Sequence, residues 1–321
     1  MWPPWASTIS LAMYGLARLA RWTSHRRRRI FPGMSRALDD LVALLSLERI
    51  EENIFRGRSE DLGWGTVFGG QVLGQSLSAA AQTVPGDRSV HSFHAYFLLP
   101  GRVDRHIVYE VDRIRDGKSF TTRRVVAIQA GRPIFNMSAS FQVDEPGFEH
   151  QDAMPEVPPP ESVPDDRERM AALAARLPPA ARVRFNVARP FEMRTVAAQD
   201  PTAPVPRPPV RLVWMRAVAA LPDAQALHRC VLAYVSDFSF VTTSLEPHGV
   251  SLLGGGMQIA SIDHIMWFHR PVRCDDWLLH AMDSPAASGA RGLVRGRVFT
   301  RDGRLVASTA QEGLIRRRPP G

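Results

Sequence analysis

Gln258-Ile259-Ala260-Ser261-Ile262-Asp263-His264-Ile265-Met266-Trp267-Phe268-His269-Arg270-Pro271 is the stretch on which the reading of the fold turns. β-Branched and aromatic residues recur in it and a proline closes it, the composition of a half-buried strand. It also carries Ser261, Asp263, His264 and His269, more polar chemistry than a packing strand needs. Strand alternation puts Asp263 on the face of Ser261 and turns His264 to the other. A similar stretch, Val90-His91-Ser92-Phe93-His94, leads through Phe97 and Leu98 to Pro100. Pro100 and Pro271 are 171 residues apart, and the turns Ala130-Gly131-Arg132 and Asp302-Gly303-Arg304 are 172 apart. A period that long in a chain of 321 residues means a duplicated domain rather than a solenoid.

Working outward, each copy has strands after a helix. In the first, a helix begins after Ser35, residues 50–56 read as a strand, and Gly69-Gly70 opens a small-residue helix that must lie close against a sheet. Strands are predicted at 90–99, 107–115, 120–130 and 134–143, with short turns that pair neighbours directly in a meander. In the second, strands are predicted at 183–187 and 210–216, a helix at 223–240, and strands at 258–271, 277–283, 292–300 and 305–315. The class is α+β: two tandem repeats, each a central helix wrapped by a curved antiparallel sheet. The domains are 34–150 and 183–321, joined by a proline-rich linker, 151–182, whose prolines favour an extended chain. Gly63-Trp64-Gly65 and Gly69 have the wrong spacing for a dinucleotide loop.

With 45% hydrophobic and 22% charged residues the chain is globular with a real core. Its net charge of +8 raises nucleic acid as a partner, but six arginines lie in residues 1–33, which hold no acid. Removing them leaves +2, so the body is near neutral and no nucleic acid is expected. Residues 1–33 read as an extension that is disordered or not made, with Met34 as the start of the folded chain; their arginine-bearing, acid-free composition also fits a targeting peptide. Two cysteines, Cys230 and Cys274, are too few for a disulfide framework and fit a reducing compartment. No metal motif and no membrane-spanning run of apolar residues occurs.

These residues resemble the acyl-CoA thioesterase II family, a double hotdog fold. The likeness rests on Phe55-Arg56-Gly57-Arg58-Ser59-Glu60-Asp61-Leu62-Gly63, Val67-Phe68-Gly69-Gly70-Gln71-Val72 and the stretch from Val90 to Pro100-Gly101. It continues in Tyr234-Val235-Ser236-Asp237, Ile262-Asp263-His264 through Pro271, and Ala307-Ser308-Thr309-Ala310-Gln311-Glu312-Gly313, and covers about residues 34–315. The resemblance implies hydrolysis of fatty acyl-CoA to fatty acid and coenzyme A without a covalent enzyme intermediate and without a cofactor. It places the family's water-holding trio on Asp237, Ser261 and Gln311. Many members have threonine at the middle position; serine keeps the hydroxyl and loses the methyl that limits its rotamers. It also implies a homodimer or higher homo-oligomer; the cytoplasm is the compartment expected from the two cysteines.

Each residue has a blander reading. Asp237 falls within the predicted helix, where a buried charge costs free energy unless partnered, although burial also raises a carboxylate pKa towards that of a useful base. Lone serines in strands are mostly structural, and no GxSxG elbow makes a serine nucleophile. Asp263 and His264 are the internal rival for acid–base work, with His264 more readily a structural hydrogen-bonding residue. His91, His94 and His269 read as core or rim residues. In the first copy Ala139 matches Gln311 and Val90 matches Ser261, so one site per chain is expected. Backbone N–H groups at the start of a central helix are expected to hold the oxyanion. Arg270, Arg291 and Arg295 are candidates for the phosphates of coenzyme A. The alternatives are a non-catalytic acyl-CoA-binding or scaffold protein of the same fold, and a hotdog hydratase.

Overall fold

The computed structural model describes residues 36–175, 189–253 and 256–317. The expectations for residues 1–33, the Ser35 cap and a strand at 183–187 lie outside the described residues. Helix α1 (Arg36–Leu45) forms because Leu38, Leu41, Val42 and Leu45 recur at three- and four-residue spacing and bury together. Two short paired strands, β1 (Glu48–Glu51) and β2 (Ile54–Gly57), replace the single strand predicted over 50–56. Then come α2 (Gly69–Ala81), β3 (Arg88–Phe97), β4 (Ile107–Asp116), β5 (Phe120–Gln129) and β6 (Arg132–Val143).

β4, β5 and β6 form the meander their turns predict. β3 departs from it, pairing with β6 instead of β4, so the order is β1-β2-β4-β5-β6-β3. The connection between β3 and β4 is long enough to cross the end of the meander, unlike the tight turns on either side of β5.

The second half contains a 3-10 turn at Pro160–Ser162, α3 (Asp166–Ala175), β7 (Phe191–Thr195), β8 (Val210–Ala217), α4 (Gln225–Ser236) and a 3-10 segment at Val241–His248. It ends with β9 (Met257–Ser261), β10 (Asp263–Phe268), β11 (Leu278–Ser288), β12 (Arg291–Thr300) and β13 (Leu305–Arg317). Its order, β7-β8-β11-β12-β13-β10, repeats that of the first half strand for strand. β3 and β10 pair antiparallel, with Met266 opposite Phe93, and join the halves into one sheet. One hydrophobic core spans the join: Phe93 and Met137 bury with Val231, Met266 and Val306.

The two long helices meet face to face. A Cβ on Gly70 would stand 2.2 Å from the Tyr234 carbonyl oxygen, and one on Gly74 would stand 3.0 Å from that of Cys230. So the small residues of α2, expected to face the sheet, also let two helix backbones touch. The proline-rich stretch packs on the second half: Trp214 Nε1 donates to the Pro158 carbonyl at 2.9 Å, and Val163 buries with Trp277 and Leu279. No helix among the described residues is long and apolar enough to cross a membrane.

Candidate active site

Helix α4 ends at Ser236, four residues before the predicted end, and Asp237 is its C-cap instead of an interior residue. The chain turns at once, with Ser239 at a φ of 61°. A carboxylate at a helix C-terminus faces the negative end of the dipole, so it needs donors. Three converge on it. Gln311 Nε2 donates to Asp237 Oδ1 at 2.8 Å and Ser261 Oγ donates at 3.3 Å. The third is the Gly70 N–H, at the positive start of α2 in the other half. A Cβ on Gly69 would stand 2.6 Å from Asp237 Oδ2, so glycine there makes room for the carboxylate. Burial raises the Asp237 pKa, and the Gln311, Ser261 and Gly70 hydrogen bonds oppose that rise.

The structure therefore brings Asp237, Ser261 and Gln311 together. It corrects the strand reading beside them. Ser261 lies opposite Gly313 and Ile265 lies opposite Ala310, four steps against three, so an extra residue bulges at Ile262 and splits the predicted strand into β9 and β10. The bulge reverses the alternation. His264, fully buried, shares the face of Ser261, with Nδ1 3.9 Å from Asp237 Oδ1. Asp263 instead accepts the Glu312 N–H at 2.6 Å. His264 Nε2 lies 3.1 Å from Ser236 Oγ, the structural hydrogen bond expected of it. Burial and the neighbouring His280 push the His264 pKa down to about 3, and burial pushes that of His280 to about 4, so both rings are neutral near pH 7. Sequence reasoning missed the Gly69-Gly70 contact and the position of His264; the glycine pair before a small-residue helix was the available signal.

The same bulge occurs in β3 between Val90 and Ser92, but the first half has no matching carboxylate. Gln82 caps α2 as Asp237 caps α4. Val90 and Ala139 stand where Ser261 and Gln311 do in the second half, and Arg123, opposite Ala139, is buried with its guanidinium on Thr83. The candidate arginines are not brought to the trio. Val294 pairs with Gln311 and faces inward, so Arg291 and Arg295 project from the opposite face, where Glu312 and Asp283 pair with them. Arg270 donates to the Leu305 carbonyl at 2.9 Å and pairs with Glu149. His91 and His269 hydrogen-bond Ser140 and Ser308, and His94 lies edge-on to Trp267.

Residues 181–314 match the family model described as acyl-CoA thioesterase, and residues 58–142 match that of the acyl-CoA thioesterase N-terminal domain. The chain is 46% identical over 283 residues to acyl-CoA thioesterase 2 of Haemophilus influenzae, covering 88% of this chain and 99% of that protein. It is 40% identical over 293 residues to human acyl-coenzyme A thioesterase 8, covering 87% and 89% respectively. The solved acyl-CoA thioesterase II of Mycobacterium marinum superposes with a TM-score of 0.71 at 40% identity, over 88% of this chain and 98% of that one. A hot dog fold protein from Alicyclobacillus acidocaldarius, 20% identical, superposes at 0.70 over 88% and 99% and speaks to the fold alone.

Proposed function

The chain belongs to the acyl-CoA thioesterase II family and is an acyl-CoA thioesterase, and from that premise we propose that Asp237 is the general base that activates water for direct attack on the thioester. The observation that carries the reading is the buried carboxylate with Gln311 and Ser261 on one oxygen. Burial that raises the Asp237 pKa makes its carboxylate a stronger base than an exposed one. Only the amide nitrogen of Gln311 can face an ionised carboxylate, which leaves its oxygen to accept the second hydrogen of the water. Ser261, its one hydrogen given to Asp237 Oδ1, holds the carboxylate that takes the water's proton. The water oxygen bonds to the carbonyl carbon and its proton passes to Asp237. The tetrahedral intermediate then collapses, the C–S bond breaks, and the proton moves from Asp237 to sulfur. A fatty acid and coenzyme A leave, with no bond to the protein at any stage.

The substrate proposed is a fatty acyl-CoA. The proposed setting is cytoplasmic, supported by two buried free cysteines. A homo-oligomer is supported by aromatic surface exposed at the centre of the sheet, where Tyr96 is 55% and Trp267 is 37% accessible. The test is thiol release from acyl-CoAs of graded length by the parent and by Asp237→Ala. Release by the parent and its loss in the variant are expected; an Asp237→Ala enzyme as fast as the parent removes Asp237 from the mechanism.

A further inference from the structure

Two buried acceptors beside Asp237, Gln311 Oε1 and His264 Nδ1, have no donor among the described residues. The first is the oxygen assigned above to the water. The second belongs to a residue outside the trio. The His264 ring is stacked against Phe93 and tilted against Phe240. Its Nε2 meets Ser236 Oγ at 3.1 Å, and that hydroxyl lies 3.0 Å from the Ala233 carbonyl oxygen. A hydroxyl has one hydrogen to give. Given to the carbonyl, which can only accept, it leaves a lone pair for His264, so Nε2 carries the ring proton and both bonds form. The other tautomer makes only one of them. The hydrogen-bond pattern thus assigns Nδ1 as a bare lone pair, facing Asp237 Oδ1 across 3.9 Å.

We propose that His264 is a positioning residue that accepts a hydrogen bond from the carboxylic acid of Asp237 after the base has taken the proton of water. The inference rests on Asp237 being that base. While Asp237 is ionised, both atoms are acceptors and stand apart. A proton on Oδ1 takes the lone pair held by the longer of its two bonds, that from Ser261, whose hydroxyl turns away; it makes Oδ1 a donor to His264 Nδ1, and the acid is held until its proton passes to the leaving sulfur. His264 keeps no proton, so the balance of the reaction is unchanged.

The surrounding groups allow this. His280, on β11, bonds Thr309 and is neutral near pH 7. Asp263, on the strand of His264, turns to the Glu312 N–H, and Glu312 pairs with Arg291 on the outer face. From α2 the carboxylate meets only the neutral Gly70 N–H. Among the described residues no cation pairs with His264 Nδ1.

The test is the pH profile of kcat/KM for the parent, His264→Phe, His264→Asn and Ser236→Ala, with Asp237→Asn as control. Phenylalanine keeps the ring packed and removes the acceptor. The expected result is a fall in kcat of about tenfold at unchanged KM, with the acid limb moved about one pH unit lower, because the protonated base loses one hydrogen bond. His264→Asn, whose side-chain oxygen reaches the Nδ1 position, should restore most of both. Ser236→Ala frees the ring to carry its proton on Nδ1, and should also move the limb lower. A limb that stays or moves higher in His264→Phe, or an asparagine variant as impaired as the phenylalanine one, overturns the proposal. Should His264→Phe not fold, an unmoved limb in Ser236→Ala overturns it instead. An Asp237→Asn enzyme with parental thiol release removes the base assignment itself; an inactive one with an unmoved His264→Phe limb sinks only the role of His264.

Discussion

Gly70→Ala places a methyl group where the two halves of the molecule meet. Its Cβ would stand 2.2 Å from the Tyr234 carbonyl oxygen, whereas ordinary contact begins at 3.4 Å. The Tyr234 oxygen belongs to the backbone of the last turn of α4 and cannot rotate away as a side chain can, so α2 and α4 must separate by about 1 Å, a cost of about 3 kcal/mol for an overpacked core. Replacing glycine in a helix returns about 1 kcal/mol of propensity. The net expectation is a loss of about 2 kcal/mol, read from urea denaturation. Activity should suffer more than folding. The same separation carries the Gly70 N–H away from Asp237, and a misplacement of about 1 Å at a reacting group can cost about a hundredfold in rate. Gly74→Ala is the comparison: its Cβ would meet a flexible Leu45 methyl at 2.7 Å and the Cys230 carbonyl at 3.0 Å, away from the carboxylate. It should keep most of its activity. A Gly70→Ala protein with stability and kcat both within twofold of the parent in equilibrium and rate terms would refute the close-contact argument.

Asp237→Asn should raise stability while abolishing thiol release. Because burial raises the Asp237 pKa, the folded state holds its proton to higher pH than the unfolded chain does. This group's contribution therefore falls as pH rises from the ordinary carboxylate range through the raised value, and denaturation of the amide variant should lack that fall. His264 and His280 act with the opposite sign: with folded pKa values near 3 and 4, they stabilise fully only above about 6.5, and urea midpoints should drop on acidification below it. Ser261→Thr should retain activity, the methyl limiting rotamers of a hydroxyl already aimed at Asp237, while Ser261→Ala should lose at least tenfold in kcat; equal rates for the two would remove the hydroxyl from the mechanism. Arg295→Ala should leave KM for acyl-CoA within about twofold, since its guanidinium pairs with Asp283 on the face opposite Gln311 and exposed pairs contribute little.

Much of this architecture could be read from the chain. Strand periodicity and the recurring closures at Pro100 and Pro271 located the duplication, and the strand order of the two halves repeats accordingly. The gathering of Asp237, Ser261 and Gln311, implied by resemblance, reappears as hydrogen bonds between a helix cap and two strands. What escaped was whatever periodicity does not encode. An extra residue at Ile262 leaves no mark on an alternating pattern, yet it decides that His264 and not Asp263 shares the face of Ser261. The end of α4 was hidden because Phe238 and Phe240 continue the apolar spacing past Asp237, where the helix caps. Glycines in α2 signal close approach without naming the neighbour. The pairing of β3 with β6 depends on a connection whose path composition does not reveal.

The contact between Asp237 and the start of α2 bears on how such a chain can diverge. The proposed base is carried by one copy and met by a backbone donor from the other, so the proposed chemistry belongs to the pair. Once both copies lie in one polypeptide, the reciprocal arrangement has no need to survive. Gln82, Val90 and Ala139 stand at the matching places in the first copy, with the Arg123 guanidinium bonded to Thr83 beside the helix end. The two halves then contribute unequally: the first supplies a shape and one backbone donor, with Gly69 and Gly70 hemmed in by their neighbours, while the second supplies the side chains of the proposed site.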